Sequence, residues 1–189
     1  MNRSISKRLS PGILVTAFLL IGLFLRLLHT FDMRASPVFD RPAMDPGYHD
    51  QWARSIVAGD PITSGEAYFR APLYPYLLAA VYKIGGGDPV HPRLAQAFLG
   101  LLTLYLAYRI GRRLFGTTSA LLAVFLALLY PGLLYFEGEL LIEPLAVFLD
   151  VALLLVLLLA EEKRRARFWL ASGFLLGLSA ITRPNILLV

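Results

Sequence analysis

Long apolar runs, separated by short polar stretches, fill most of the chain. Five of them approach the ~20 residues that a helix needs to cross ~30 Å of hydrocarbon: 12–31, 94–114, 119–136, 144–160 and 168–189. Lipid offers no partner for an unpaired backbone group, so each run is predicted to be a helix. The first run is long for the apolar part of a cleaved leader, and no small-residue cleavage site follows it cleanly. Residues 32–93 behave differently. From Pro46 to Ala58, Tyr48, Trp52 and Ile56 recur every fourth position and predict one amphipathic helix. From Pro72 to Ile84, Leu73, Leu77, Ala80, Val81 and Ile84 predict a second, closed by Gly85-Gly86-Gly87. Helices of this kind lie along a membrane interface. The expected fold is an all-α polytopic membrane protein of about five spans, with a long first outer loop carrying interfacial helices.

Composition removes the soluble alternatives. Hydrophobic residues make up 57% and charged residues 16%, against about 45–50% and about 25% in soluble domains. The mean hydropathy is +0.64. The net charge of +5 gathers in short clusters between apolar runs, which fits membrane orientation and not nucleic-acid binding. Arg3, Lys7 and Arg8 precede the first run; Arg109, Arg112 and Arg113 end the second; Lys163, Arg164, Arg165 and Arg167 separate the fourth from the fifth. A cytoplasmic N-terminus with five spans places all three clusters inside, as the positive-inside rule requires. Residues 32–93 and the short 137–142 connection then lie outside. The absence of cysteine excludes disulfide frameworks and thiolate metal sites.

The candidate chemistry lies in those two outer segments. Asp45 precedes Pro46, a pattern that starts a helix and that also suits a general base at the membrane surface. Glu143 before Pro144 repeats the pattern at the fourth run, where an acid suits the positive end of the helix dipole. Glu137 and Glu139 lie just ahead of it, and acids crowded beside lipid call for a cation, a metal or a basic ligand. His49, with Asp45 and Glu143, makes a candidate metal set; a polar loop histidine is the plainer reading. Arg70, among aromatics in Tyr68-Phe69-Arg70-Ala71-Pro72, is either an interfacial anchor or a bidentate phosphate ligand. Arg26 and Asp150 fall inside runs at about equal depth, roughly 8–9 Å from one edge at 1.5 Å per residue, and are expected to pair. Thr182-Arg183-Pro184-Asn185 breaks the fifth run, and such breaks line protein or a polar cavity.

These pieces occur in an order that resembles the GT-C glycosyltransferases, in particular the bacterial protein O-mannosyltransferase-like branch (family 39) and its aminoarabinose transferase relatives. The resemblance rests on Asp45-Pro46-Gly47-Tyr48, Phe69-Arg70-Ala71-Pro72-Leu73-Tyr74-Pro75, Gly111-Arg112-Arg113-Leu114-Phe115-Gly116, Gly138-Glu139-Leu140-Leu141-Ile142-Glu143-Pro144-Leu145 and Thr182-Arg183-Pro184-Asn185. It implies an enzyme of the cell (inner) membrane that moves a hexosyl or pentosyl group from a polyprenyl-phosphate donor to a protein, lipid or glycan acceptor at the outer, periplasmic face. Asp45 then holds the place of the catalytic base and Glu143 that of a second catalytic acid. Tyr48, Arg70, Glu139 and Arg183 would bind substrate, and a divalent cation is a candidate cofactor. Some relatives carry lysine where this chain has Ala71. Family members are longer, so residues 1–189 are expected to form the N-terminal part of a GT-C-like catalytic domain, inactive alone if the missing part completes the site. A transporter would place its ionisable residues deep in the spans, and a membrane scaffold would tolerate loss of Asp45 and Glu143. No glycine-rich strand–helix turn for a nucleotide sugar is present.

Overall fold

The first helix begins where its sequence provides a cap. Ser10 Oγ accepts the Ile13 N–H (3.3 Å), Pro11 occupies the first turn, and α1 runs Pro11–Asp32. The computed structural model describes residues 10–60 and 70–188. The basic cluster Arg3, Lys7, Arg8 and the aromatics Tyr68 and Phe69 lie outside them. The two amphipathic stretches form α2 (Met44–Val57) and α3 (Leu73–Gly85), the latter closed by Gly86 in the left-handed region (φ 71°). There follow α4 (Val90–Leu114), α5 (Gly116–Leu128), α6 (Pro131–Gly138), α7 (Glu143–Lys163) and α8 (Ala166–Ala180), with short 3-10 turns at Met33–Ala35 and Pro184–Leu188. No strand occurs among the described residues.

Three of these helices (α1 with its following turn, α4 and α7) are long and apolar enough to cross a membrane. The run expected as one span over 119–136 is two helices, α5 and α6, bent by 58°. Pro131 causes the break, because it lacks an N–H and its ring crowds the preceding turn. Taken together, the bent pair makes a fourth candidate span. The fifth run gives α8, 15 residues and apolar, which stops before the Thr182-Arg183-Pro184 break. The protein is thus all-helical and polytopic. Its helices leave large apolar side chains such as Leu20, Phe24, Leu126, Leu170 and Phe174 on the outside, as a chain solvated by lipid does.

Helix α4 lies at the centre and touches α1, α3, α5, α6 and α7. Val15, Leu104, Tyr108, Ala120, Val124 and Leu128 join α1, α4 and α5 in one buried cluster. Ala53, Tyr74, Leu78, Ala79, Tyr82, Leu140, Leu145 and Leu149 form the other, which seats the α2–α3 pair on α7 and on the connection before it. That second cluster positions the site described below.

Arg26 does not pair with Asp150. Its Nη2 donates to Glu137 Oε1 (2.7 Å) and its Nε lies 2.6 Å from Glu137 Oε2, both side chains being buried. Asp150 instead accepts from Ser179 Oγ on α8 (2.5 Å). Counting depth along straight, parallel helices fails because α6, redirected at Pro131, carries Glu137 against α1 and α4. Gly100 of α4 makes the room: a Cβ there would lie 2.1 Å from Glu137 Oε1.

Candidate active site

The start of α2 is shaped by its own glycine. A Cβ on Gly47 would lie 2.5 Å from the Pro42 carbonyl oxygen, so Asp45-Pro46-Gly47-Tyr48 folds this tightly only with glycine in third place. The cap position is Ala43, without a side-chain cap bond, and Asp45 falls in the first turn. Its carboxylate is held by Arg70, with Nη1 donating to Oδ2 (2.9 Å) and Nη2 to Oδ1 (2.6 Å). This is the fork-to-fork geometry in which arginine grips carboxylates and phosphates. The Arg70 guanidinium also stands 5.7 Å from the Tyr48 ring centre.

One turn further along α2, His49 is buried, and neither ring nitrogen has a hydrogen-bond partner. Its ring meets Tyr74 edge-on at 5.1 Å. Burial, reinforced by the Arg70 charge and opposed by Asp45, lowers its pKa to about 4. The neutral ring therefore belongs to the folded state, while the unfolded histidine takes a proton near 6.5. Stability from His49 is present above 6.5 and is lost as the pH falls from there towards 4. The full shift corresponds to roughly 3 kcal/mol at 1.36 kcal/mol per pKa unit. We expect His49→Phe to flatten that part of the stability–pH curve, measured as detergent-phase unfolding of both proteins between pH 7 and pH 4. Parallel curves for the two proteins would contradict the assignment.

Tyr74, at the start of α3, is fully buried and donates its hydroxyl to Gln96 Oε1. Burial above all, and then the neighbouring Tyr82, Glu143 and Asp50, hold its phenol well above the usual range against Arg93, so it remains a donor. The Leu73 N–H donates to the Ile181 carbonyl (3.2 Å), which draws the start of α3 onto the Thr182-Arg183-Pro184 break. Arg183 Nη1 there lies 3.8 Å from Glu143 Oε1 in the first turn of α7. Glu143 Oε2 is buried without a hydrogen-bond partner. Glu139, in the extended step after α6, is half-buried.

The structure thus gathers two arginine–carboxylate pairs, Asp45–Arg70 and Glu143–Arg183, onto the elements around Tyr74. The crowding of acids between Glu137 and Glu143 is relieved by Arg26 and Arg183. Among the described residues, no three His, Cys, Asp or Glu groups come together as a metal site would need, so Asp45, His49 and Glu143 do not make a metal cradle. Beside Glu143, a cavity of about 270 Å³ opens between α4, α6 and α7. Its walls include Leu104, Leu133, Phe136, Pro144 and Val147, with Arg26, Glu137 and Glu143 as its charged members.

Arg93, Gln96 and Tyr74 escaped the reading of the sequence as site residues. One signal was there: Arg93 and Gln96 stand three apart at the head of an apolar run, on one helical face. Comparison with known proteins bears on the rest. Nothing among curated proteins or solved structures matches the chain. A model of the dolichyl-phosphate-mannose-protein mannosyltransferase family matches residues 69–189. Arg70, Glu139, Glu143 and Arg183 lie within the match, whereas Asp45, Tyr48 and His49 precede it. With well over half of its length matched, the chain belongs to the dolichyl-phosphate-mannose-protein mannosyltransferase family and is a membrane glycosyltransferase of the GT-C type.

Proposed function

We propose that this protein transfers a sugar from a polyprenyl-phosphate carrier to an acceptor hydroxyl at the outer face of the cell's inner membrane, its N-terminus being cytoplasmic. The observation that carries this reading is the pair of arginine–carboxylate contacts, Asp45–Arg70 and Glu143–Arg183, together with an apolar cavity that Glu143 lines. A lipid-linked sugar phosphate needs cations for its phosphate, a carboxylate for the incoming proton and an apolar wall for its chain. Each is present.

In the proposed reaction the acceptor oxygen attacks the anomeric carbon, and the bond from that carbon to the phosphate oxygen breaks. The acceptor proton passes to Asp45, and the polyprenyl phosphate leaves with its negative charge balanced by Arg70 and Arg183. Arg70 grips Asp45 through both carboxylate oxygens, which takes one lone pair on each and ties the carboxylate to the guanidinium. An arriving phosphate offers the same bidentate geometry with more charge, so Arg70 turns to the donor and frees Asp45. The base is thereby released only when the donor is bound. Tyr48 and Glu139 contact the sugar, and Glu143 holds Arg183 in place.

A donor analogue with a photoreactive group in the first isoprene units tests the site. Irradiation of membranes containing the intact protein is expected to label α6 and α7 around Leu133, Phe136 and Val147, the cavity walls. Arg70→Ala is expected to weaken capture by roughly tenfold, the loss of one charge-assisted bidentate contact. Labelling spread evenly over the outer surfaces of the spans, unaffected by Arg70→Ala, would overturn the proposal.

A further inference from the structure

We infer that Gln96 is a positioning residue that fixes the distance between the two arginine–carboxylate pairs; this rests on the proposed reaction, which places one pair at the acceptor proton and both at the phosphate.

Glu139 is extended (φ −86°, ψ 150°), so α6 stops and its last carbonyls lose their intrahelical partners. Buried carbonyls in a membrane protein must find donors elsewhere. Helix α4 supplies them from two side chains one turn apart. Gln96 Nε2 donates to the Glu137 carbonyl (2.8 Å) and to the Glu139 carbonyl (2.6 Å). Arg93 Nε donates to the Gly138 carbonyl between them (2.8 Å). Arg93 has no carboxylate partner among its observed bonds: its other nitrogens go to the Pro89 and Phe39 carbonyls, and its guanidinium lies over the Phe39 ring at 4.0 Å. Its charge sits at the negative end of α6, where a cation is favoured.

Three consecutive carbonyls are therefore clamped, and the clamp has an outward arm. Gln96 Oε1 accepts the Tyr74 hydroxyl, and Tyr74 packs edge-on against His49 of α2. Gln96 thus bonds at once to the segment leading into Glu143 and to the helix that follows Arg70. A primary amide suits this node, since it offers two N–H donors and one acceptor on a single planar group. The reversed amide would set its oxygen against two carbonyl oxygens, so the network itself fixes the orientation. Gln96 is 1% exposed, which removes water as a substitute partner.

Two readouts separate positioning from mere structural support. In Gln96→Met, similar in length and apolar, kcat for sugar transfer is expected to fall by about 10- to 100-fold, the range for reacting groups displaced by up to an ångström. The donor KM is expected to stay within about threefold, since Gln96 touches no phosphate ligand. Independently, spin labels at Val57→Cys on α2 and Tyr135→Cys on α6, both exposed positions in a stretch without native cysteine, report the spacing of the two helices that the clamp ties together. A single narrow distance distribution is expected with Gln96, and a broadened or shifted one with Gln96→Met. Tyr74→Phe, which removes only the hydroxyl, is expected to broaden it less and to lower kcat less; it decides the matter if Gln96→Met does not insert. An unchanged distribution in the variants, or a loss confined to KM, overturns the inference. If the wild type transfers no sugar from any polyprenyl-phosphate donor, the reaction is wrong, while the distance measurement still decides the role of Gln96.

Discussion

Asp45→Asn is expected to reduce sugar transfer by roughly 10²–10⁴-fold, the usual contribution of a positioned general base, and to leave the protein inserted and folded. Asparagine keeps the shape of the side chain but takes up no proton at working pH. The fold is not at risk, because the Asp45–Arg70 pair is half in water, with side chains 54% and 34% exposed. Ion pairs of that exposure contribute about 0–1 kcal/mol. The loss should therefore appear in kcat, with unfolding temperature almost unchanged. Arg70 keeps its guanidinium charge and remains able to grip phosphate, so donor KM should fall or hold steady. Transfer at the wild-type rate would reduce Asp45 to an acid at a helix start and would move the base to Glu143.

The buried pair behaves in the opposite way. Arg26→Leu is expected to destabilise the protein by about 3–5 kcal/mol, the cost of leaving one buried charge uncompensated. Glu137 is packed against Gly100 with its side chain 8% exposed, and Arg26 is the cation that its carboxylate meets. Removing both charges, in Arg26→Leu with Glu137→Gln, is expected to recover most of the loss, since the remaining amide needs far less solvation. Unfolding of the detergent-solubilised proteins, read as a two-mutation cycle, measures this. Additive effects of the two substitutions would show that the charges do not depend on each other and would contradict the observed pair. Sugar transfer should follow stability here, because Arg26 and Glu137 hold α6 in place and are not assigned a reacting atom.

The apolar runs and the i+4 stripes of Tyr48, Trp52 and Ile56 made the helices legible, because hydrophobic periodicity reports a helix before any tertiary contact exists. The break at Pro131 was written in the sequence too, yet an apolar run hides it: hydropathy sums carbon and does not register a missing N–H. The partner of Arg26 was not legible. Depth along a span follows from counting, but the direction in which a side chain points depends on how helices rotate and bend, and the turn at Pro131 changes which acid reaches Arg26. The acids and arginines of the candidate site were visible as residue types, and Arg183 was visible as part of a helix break. Their pairings, Arg70 with Asp45 and Arg183 with Glu143, join residues 25 and 40 positions apart and required the fold. Gln96 was invisible for a related reason. A glutamine at the head of an apolar run announces nothing until the carbonyls it serves, more than 40 residues later, are placed beside it.

One assay decides whether a lipid-linked sugar phosphate is the donor. The intact protein, reconstituted in liposomes, is given the same radiolabelled sugar either on a polyprenyl phosphate or on a nucleotide, with acceptor present. Transfer is expected from the polyprenyl-phosphate donor and none from the nucleotide donor. Transfer from the nucleotide sugar alone would contradict the proposed reaction, since nothing in the arrangement of Arg70, Arg183 and the apolar cavity would then explain the donor.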